Sequence, residues 1–292
     1  MLAAPLLALL SSLLWGTGDF LGGRASRGHR VLQVLFWSQA AALVLIWLAV
    51  VALVASGSLE LQVRPIVIGT LGGMCGVAGL AAFYRALAIG PMSVVPPIAA
   101  AGVLVPVAVG LASGAAPGAG VLGGIALAIV GVVLASIGEG SGAVDGVATR
   151  IQARTLGLCL LAALGFGLIF VAMDEAAGST AATAVLATAA VRLGGSSVVV
   201  LAVLATRTSP VVGVSRRAAL GFAGIGLFDT GANLTFAIAA ALGELEVVAV
   251  LGSLYPAVTS ALAHVVLGER LGRVQLVGVV LAIAGVVVLA SA

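Results

Sequence analysis

Residues 121–138 read VLGGIALAIVGVVLASIG, a stretch without a single charged side chain. A helix needs about 20 mostly apolar residues to cross a bilayer. A strand of a membrane barrel instead alternates apolar and polar residues over about ten positions, and this stretch is apolar on every face. The stretch therefore predicts a transmembrane helix.

The whole chain shares this composition. Of its 292 residues, 62% are hydrophobic and 8% are charged, whereas a soluble domain carries roughly 25% charged residues. The predicted fold class is an all-α polytopic membrane protein with ten transmembrane helices, placed in the cytoplasmic membrane of a bacterium. The predicted helices cover residues 3–22, 32–55, 65–89, 93–112, 118–138, 155–173, 180–205, 217–242, 246–267 and 274–291.

An internal repeat divides these helices into two halves. GVVLAS at 131–136 matches GVVVLAS at 285–291, and Gly124 and Gly131 lie opposite Gly278 and Gly285 at one constant offset. The predicted halves are residues 1–138 and 155–292, joined by a connecting loop at 139–154. Since each half has an odd number of helices, the second half must insert upside down relative to the first. Inverted repeats are typical of secondary transporters that work by alternating access; the alternative is a duplicated bundle that transports nothing.

Three segments resemble the EamA-type family of the drug/metabolite transporter superfamily. They are LLWGTGDF at 13–20, YRALAIGPMSVV at 84–95 and VLGSLYPAVTSALAHVVLGERL at 250–271. The resemblance implies two EamA-like five-helix repeats and export of amino acids, metabolites or drugs. The first half departs from the pattern, because Gly114-Ala115-Ala116-Pro117 replaces the Gly-Glu-Arg-Pro turn and lacks counterparts of Glu269 and Arg270.

The arginines predict an orientation. Loops after odd-numbered predicted helices hold ten of them, and loops after even-numbered helices hold only Arg64. By the positive-inside rule the arginine-rich side is cytoplasmic, which puts both termini outside. The family resemblance implies the opposite orientation, with cytoplasmic termini.

Ionisable side chains at membrane depth are costly and usually functional. We predict coupling or gating roles for Asp19 and Arg85, as an ion pair near one end of the first and third helices; the alternative is that Arg85 extends to the interface. Arg192 and Asp229 lie near the middles of their helices, with Asp229 the predicted proton carrier or, alternatively, part of a static strut. His264 is a further coupling candidate that could equally be an interfacial residue.

The candidate substrate-binding side chains are aromatic or amide-bearing. Trp15 and Tyr255 are expected to line a substrate cavity, because each offers an apolar face and a polar edge. The remaining candidates are Gln39, Tyr84 and Asn233. Prolines free backbone carbonyls within helices, and interruptions in corresponding helices of two halves point to a transport site. The predicted interruptions are at Pro96, Pro106 and Pro256.

The leading functional hypothesis is a proton-coupled exporter of small metabolites, amino acids or drugs. An uncoupled facilitator or exchanger and a structural or sensory membrane protein are the alternatives. The predicted partners are a small-molecule substrate, the lipid bilayer and protons, with no nucleic acid; the oligomeric state stays open. We predict no enzyme, cofactor or metal, since the sequence contains no ATP-binding motif, nucleophile motif or metal-ligand cluster.

Overall fold

The structure is a computed structural model that describes residues 3–114, 118–137, 152–177, 180–242, 248, 251–252 and 254–290. All regular secondary structure in these residues is helical. The helices are α1 (Ala3–Gly28), α2 (Val31–Ala55), α3 (Val63–Ile89), α4 (Val95–Ala99), α5 (Leu104–Ala112), α6 (Ala119–Ile137), α7 (Ala153–Ala177), α8 (Ala181–Thr206), α9 (Arg216–Leu242), α10 (Tyr255–Leu267) and α11 (Arg273–Ala290).

The surface of the bundle is that of an integral membrane protein. Within the described ranges, five helices are long and apolar enough to cross a bilayer: α1, α2, α3, α7 and α8. Large aliphatic side chains such as Leu48 and Leu201 are exposed on their outer faces. Lipid is the environment that such a surface requires.

Helix α1 is longer than the sequence predicts. It continues six residues beyond the expected end at 22. Arginine is a good helix former, and the Arg27 side chain hydrogen-bonds to a backbone carbonyl near the end of α3. The Arg27 Nε donates to the carbonyl of Leu87 at 3.3 Å. As a result Asp19 lies about 14 Å from the end of α1, deeper than the sequence suggests.

The fourth and ninth predicted helices are interrupted. The fourth consists of α4, a 3-10 segment at Ala100–Val103 and α5. In the ninth, residues 251–252 are helical and Leu254 is a turn immediately before α10. Both α4 and α10 carry proline in their first turn, where the missing N–H breaks no helical hydrogen bond.

The two predicted halves pack into each other reciprocally. Helix α3 of the first half packs between α7 and α8, and helix α9 of the second half packs between α1 and α2. Helices α6 and α11 form a separate pair. Each half therefore covers its third helix with helices of the other half.

Glycines allow the closest of these contacts. A side chain at Gly69 or Gly73 would collide with Ala190 or Val191 of α8, and one at Gly72 or Gly76 would collide with Ala172 or Ile169 of α7. The two GxxxG spacings of α3, Gly69 to Gly73 and Gly72 to Gly76, thus serve two different faces of the helix. In the α6–α11 pair, Gly131 lies against Ala282 and Gly285 lies against Ala128, whereas Gly124 lies against Leu289.

Candidate functional site

An ion pair lies at the centre of the bundle. Arg192 comes from the middle of α8 and Asp229 from the middle of α9, and the guanidinium Nη2 donates to the carboxylate Oδ2. Both were predicted from their depth alone, and the contact matches the strut considered for them. Asn233 lies one turn beyond and donates from Nδ2 to the Asp229 carbonyl at 2.7 Å.

Asp19 brings a second carboxylate to this ion pair. Gly18 packs against Phe228 and Asp229, which draws α1 onto α9, and the Asp19 and Asp229 carboxylates interact electrostatically. Within the described part of the chain, Asp19 makes neither a hydrogen bond nor an ion pair. We call Asp19, Arg192 and Asp229 the central cluster; it contains two carboxylates and one arginine.

Two tyrosines lie beside the central cluster. Tyr84 is buried against Gly22 of α1, and its hydroxyl interacts electrostatically with all three cluster members. Tyr255 interacts with Asp19. Tyr84, a predicted substrate-binding residue, is therefore in the interior of the bundle although it lies near the end of α3.

An aromatic wall adjoins the cluster on the side of the chain termini. Trp15 contacts Tyr255 with ring centroids 6.1 Å apart and Phe236 with centroids 5.6 Å apart. Tyr255 stands at the interruption before α10. There the Thr259 hydroxyl donates to the Gly16 carbonyl at 3.0 Å and fixes α10 to α1.

Three buried polar atoms near Arg192 have no protein partner among the described residues. They are Arg192 Nε, Gln39 Oε1 and Ser196 Oγ. Gln39 lies against Gly195 of α8, so all three are associated with one face of that helix. Buried polar atoms left unpaired carry a desolvation cost, and a bound polar molecule or water would remove it.

The end of the bundle that holds Arg27, Arg207 and Arg273 is the arginine-rich end. Here Glu269, in the loop between α10 and α11, accepts hydrogen bonds from Arg27 (3.2 Å), Met92 N (3.1 Å), Ser93 N (3.0 Å) and Ser93 Oγ (2.9 Å). We call this arrangement the Glu269 latch. It joins α1 and the turn before α4 in the first half to the α10–α11 loop in the second.

Two predicted coupling residues also lie at this end. His264 is exposed, and its Nδ1 is 2.7 Å from the Glu269 carbonyl oxygen, so it adjoins the latch. Arg85 is exposed in a cavity at the arginine-rich end and makes no ion pair with Asp19 among the described side chains. The predicted Asp19–Arg85 pair is therefore wrong, because Arg85 lines this cavity while Asp19 interacts with Asp229 of α9.

The predicted prolines occupy the interrupted helices. Pro96 and Pro256 lie in the first turns of α4 and α10 and so begin those helices. Pro106 lies near the start of α5, directly after the 3-10 segment.

The sequence did not indicate that Phe236 belongs to the aromatic wall or that Thr259 joins α10 to α1. It also did not indicate that the Glu269 carboxylate joins the two halves. Thr259 carries a weak signal, because hydroxyl side chains in apolar helices tend to bond across helix interfaces. Glu269 carries a stronger sequence signal, because it is the acidic residue of the Gly-Glu-Arg turn. Its partners on the Met92–Ser93 turn depend on folding.

These features define an integral membrane protein with a charged centre enclosed by two sets of helices. Residues 154–291 match the model of the EamA-like transporter family. This match covers the second half of the chain and agrees with the family resemblance noted in its sequence. This family indicates a membrane transporter of the drug/metabolite kind.

The fold is also found among solved structures. One crystal structure, described only as "Crystal structure of protein", is 21% identical and has a TM-score of 0.62, with 98% of this chain and 95% of that chain covered. At this identity the likeness shows the fold alone. No curated protein matches the chain.

Proposed function

We propose that the protein is a proton-coupled secondary transporter that exports small amine-bearing molecules, such as amino acids, related metabolites or drugs. The observation that carries this proposal is the charge of the central cluster. Asp19 and Asp229 interact at membrane depth, and one arginine neutralises only one of them. One surplus negative charge inside a bilayer is costly, so the cluster needs a proton or a cationic ligand.

Proton coupling follows from competition for Asp19. Arg192 is held by Asp229, whereas Asp19 has no cation among the described residues. A proton or a substrate ammonium group can neutralise Asp19, but not both together. Asp19 therefore replaces Asp229 as the proposed proton carrier, and Asp229 holds Arg192 in position.

The surroundings favour an amphipathic substrate. The aromatic wall of Trp15, Phe236 and Tyr255 offers apolar ring faces, on which a cation is also attracted. The free donor at Arg192 Nε and the free acceptor at Gln39 Oε1 suit the polar groups of an amino acid or a related amine. Gln39, Tyr84 and Asn233 remain proposed binding residues on the polar side.

Alternating access requires two halves that rock against each other. The reciprocal packing of α3 and α9 supports two inverted repeats, residues 1–138 and 155–292. The Glu269 latch is the proposed closed gate at the arginine-rich end, with His264 beside it. The interruptions near Pro106 and Pro256 are the proposed flexible points.

The charge distribution supports a cytoplasmic position for the arginine-rich end. The structure has Arg27, Arg30, Arg207, Arg216 and Arg273 at or beside helix ends on this side. A C-terminal tag should then be cleaved by protease added outside right-side-out vesicles. Protection of the tag would reverse the proposed orientation, as the family resemblance implies.

Flux in proteoliposomes tests the coupling. Vesicles with a trapped pH indicator are given an imposed pH gradient and a panel of amino acids and small amines, one at a time. Wild type should move protons when an accepted compound moves, and Asp19→Asn should abolish that proton flux. Asp19→Glu should retain part of it, and Glu60→Gln, which removes an exposed loop carboxylate, should match wild type.

Other outcomes contradict the proposal. Compound flux without proton movement in the wild type would establish the uncoupled facilitator or exchanger. Full proton coupling in Asp19→Asn would remove Asp19 as the carrier. No flux of any compound through folded protein would favour a structural or sensory role.

A further inference from the structure

A basic cavity opens at the arginine-rich end, away from the central cluster. Its volume is about 640 Å³, and it lies between the end of α1, the start of α2, Arg85 of α3 and the loop between α8 and α9. The lining includes Arg27, Arg30, Arg85, Arg207 and His29, and among the described residues it includes no carboxylate. The proposed function assigns no role to this cavity.

Three of its arginines are available to a ligand. Arg27 is engaged by Glu269 and by the carbonyls of Leu87 and Gly90. Arg30, Arg85 and Arg207 make no ion pair with any side chain that the structure describes. Guanidinium groups bind phosphate oxygens through two parallel hydrogen bonds, so three unpaired arginines around one cavity suit a phosphate group.

The wall that carries Arg207 is fixed in place. Gln33 Nε2 donates to the Val212 carbonyl at 2.9 Å and Trp37 Nε1 donates to the Pro210 carbonyl at 3.2 Å, which anchors the α8–α9 loop on α2. Arg207 itself has a φ of 50° and is the one non-glycine residue with positive φ in the described ranges. Such a conformation persists where the surrounding structure holds it, and here it puts an arginine at the cavity.

The flank of the cavity is apolar. Val212 lines it and is 71% exposed, and Leu204, one turn before Arg207 on α8, is 67% exposed. A soluble phosphate would leave these aliphatic side chains exposed, whereas the acyl chains of a phospholipid would cover them. Basic pockets at the ends of membrane helices recognise anionic headgroups.

We propose that this cavity binds the phosphate of an anionic phospholipid headgroup through Arg30, Arg85 and Arg207, with the acyl chains lying against Leu204 and Val212. The site is independent of the transported substrate. It does not depend on proton coupling, so the lipid proposal and the transport proposal fail separately.

Native mass spectrometry of the full chain tests the site with phosphatidylglycerol and phosphatidylcholine as probes. Wild type should retain phosphatidylglycerol in preference to phosphatidylcholine. The triple variant Arg30→Gln/Arg85→Gln/Arg207→Gln should lose this retention by at least about tenfold. The matched control Arg216→Gln/Arg217→Gln/Arg273→Gln removes three exposed arginines outside the cavity lining and should retain the lipid.

The single variant Arg207→Lys tests the site even if the triple variant does not fold. It keeps the charge but loses the forked geometry, so binding should weaken by less than in the triple variant. Equal losses in cavity and control variants, or equal retention of both lipids, would overturn the proposal. Displacement of the lipid by millimolar glycerol phosphate would identify a soluble phosphate as the ligand and reject the lipid source.

Discussion

At the scale of single residues, the contacts of the central cluster favour one carboxylate over the other as the proposed proton carrier. Asp229 was the expected proton carrier because it is deeply placed, but Arg192 pairs with it. Asp19 lies beside that pair without a cation of its own among the described residues. Depth in the membrane selects candidates, and neighbours determine which candidate is free to exchange a proton.

Arg192→Gln should destabilise the protein by up to about 3–5 kcal/mol, because it leaves the part-buried Asp229 carboxylate at membrane depth without its partner. Thermal unfolding in detergent measures this loss. Arg64→Gln is the matched control: it breaks an ion pair with Glu175 whose side chains are both exposed, and such pairs contribute at most about 1 kcal/mol. The double variant Arg192→Gln/Asp229→Asn should recover part of the lost stability. Equal losses in Arg192→Gln and Arg64→Gln would contradict a stabilising ion pair at the centre of the bundle.

At the scale of elements, the two halves differ at the turn that carries the Glu269 latch. Glu269 joins the halves at the arginine-rich end, while the corresponding turn of the first half contains Ala115 and Ala116, which lie outside the described residues. An alanine cannot accept the hydrogen bonds that a carboxylate accepts. The Glu269 latch therefore has no sequence counterpart in the first half.

Glu269→Gln should weaken the latch, because the amide keeps one acceptor oxygen in place of the two that serve Arg27, Met92 and Ser93. Spin labels at the exposed positions Ile89 and Arg270, with both native cysteines replaced, measure the separation across it. The variant should show a longer and broader distance distribution than the parent. Glu175→Gln, at the opposite end, should leave the distribution unchanged, and an unchanged distribution in Glu269→Gln would show that the latch does not hold this end closed.

Gly73→Ala should destabilise the packing of α3 on α8, since the added methyl group would meet the Val191 carbonyl. Overpacking of this kind costs about 1–3 kcal/mol, seen as a lower unfolding temperature in detergent. Gly123→Ala on α6 is the control, because nothing lies within 4 Å of a methyl group there. A Gly73→Ala protein as stable as the control would mean that α3 and α8 can separate without cost.

At the scale of the whole molecule, neither half has a complete set of packing partners alone. Helix α3 needs α7 and α8, and α9 needs α1 and α2. We therefore expect residues 1–144 and 145–292 to give little folded protein when expressed separately and a stable complex when expressed together. Size-exclusion chromatography of the purified fragments measures this, and a stable monomer of either fragment alone would contradict it.

The sequence determined the helical class, the approximate helix bounds, the family resemblance and the charges at membrane depth. Long apolar runs leave no alternative to helices in lipid, and each buried charge stands out against an apolar background. The misplaced elements were those at helix ends, where α1 extends past Arg24 because its arginines remain compatible with a helix.

Only the tertiary structure decided which of these charges meet. Asp19 interacts with Asp229 while Arg85 lines the basic cavity, although sequence position suggested that Asp19 and Arg85 would pair. Glu269 finds its partners on a turn 176 residues away. The physical reason is that a single sequence reports how deep a side chain lies along its own helix, whereas pairing depends on the rotation of each helix about its axis, which packing between the two halves sets.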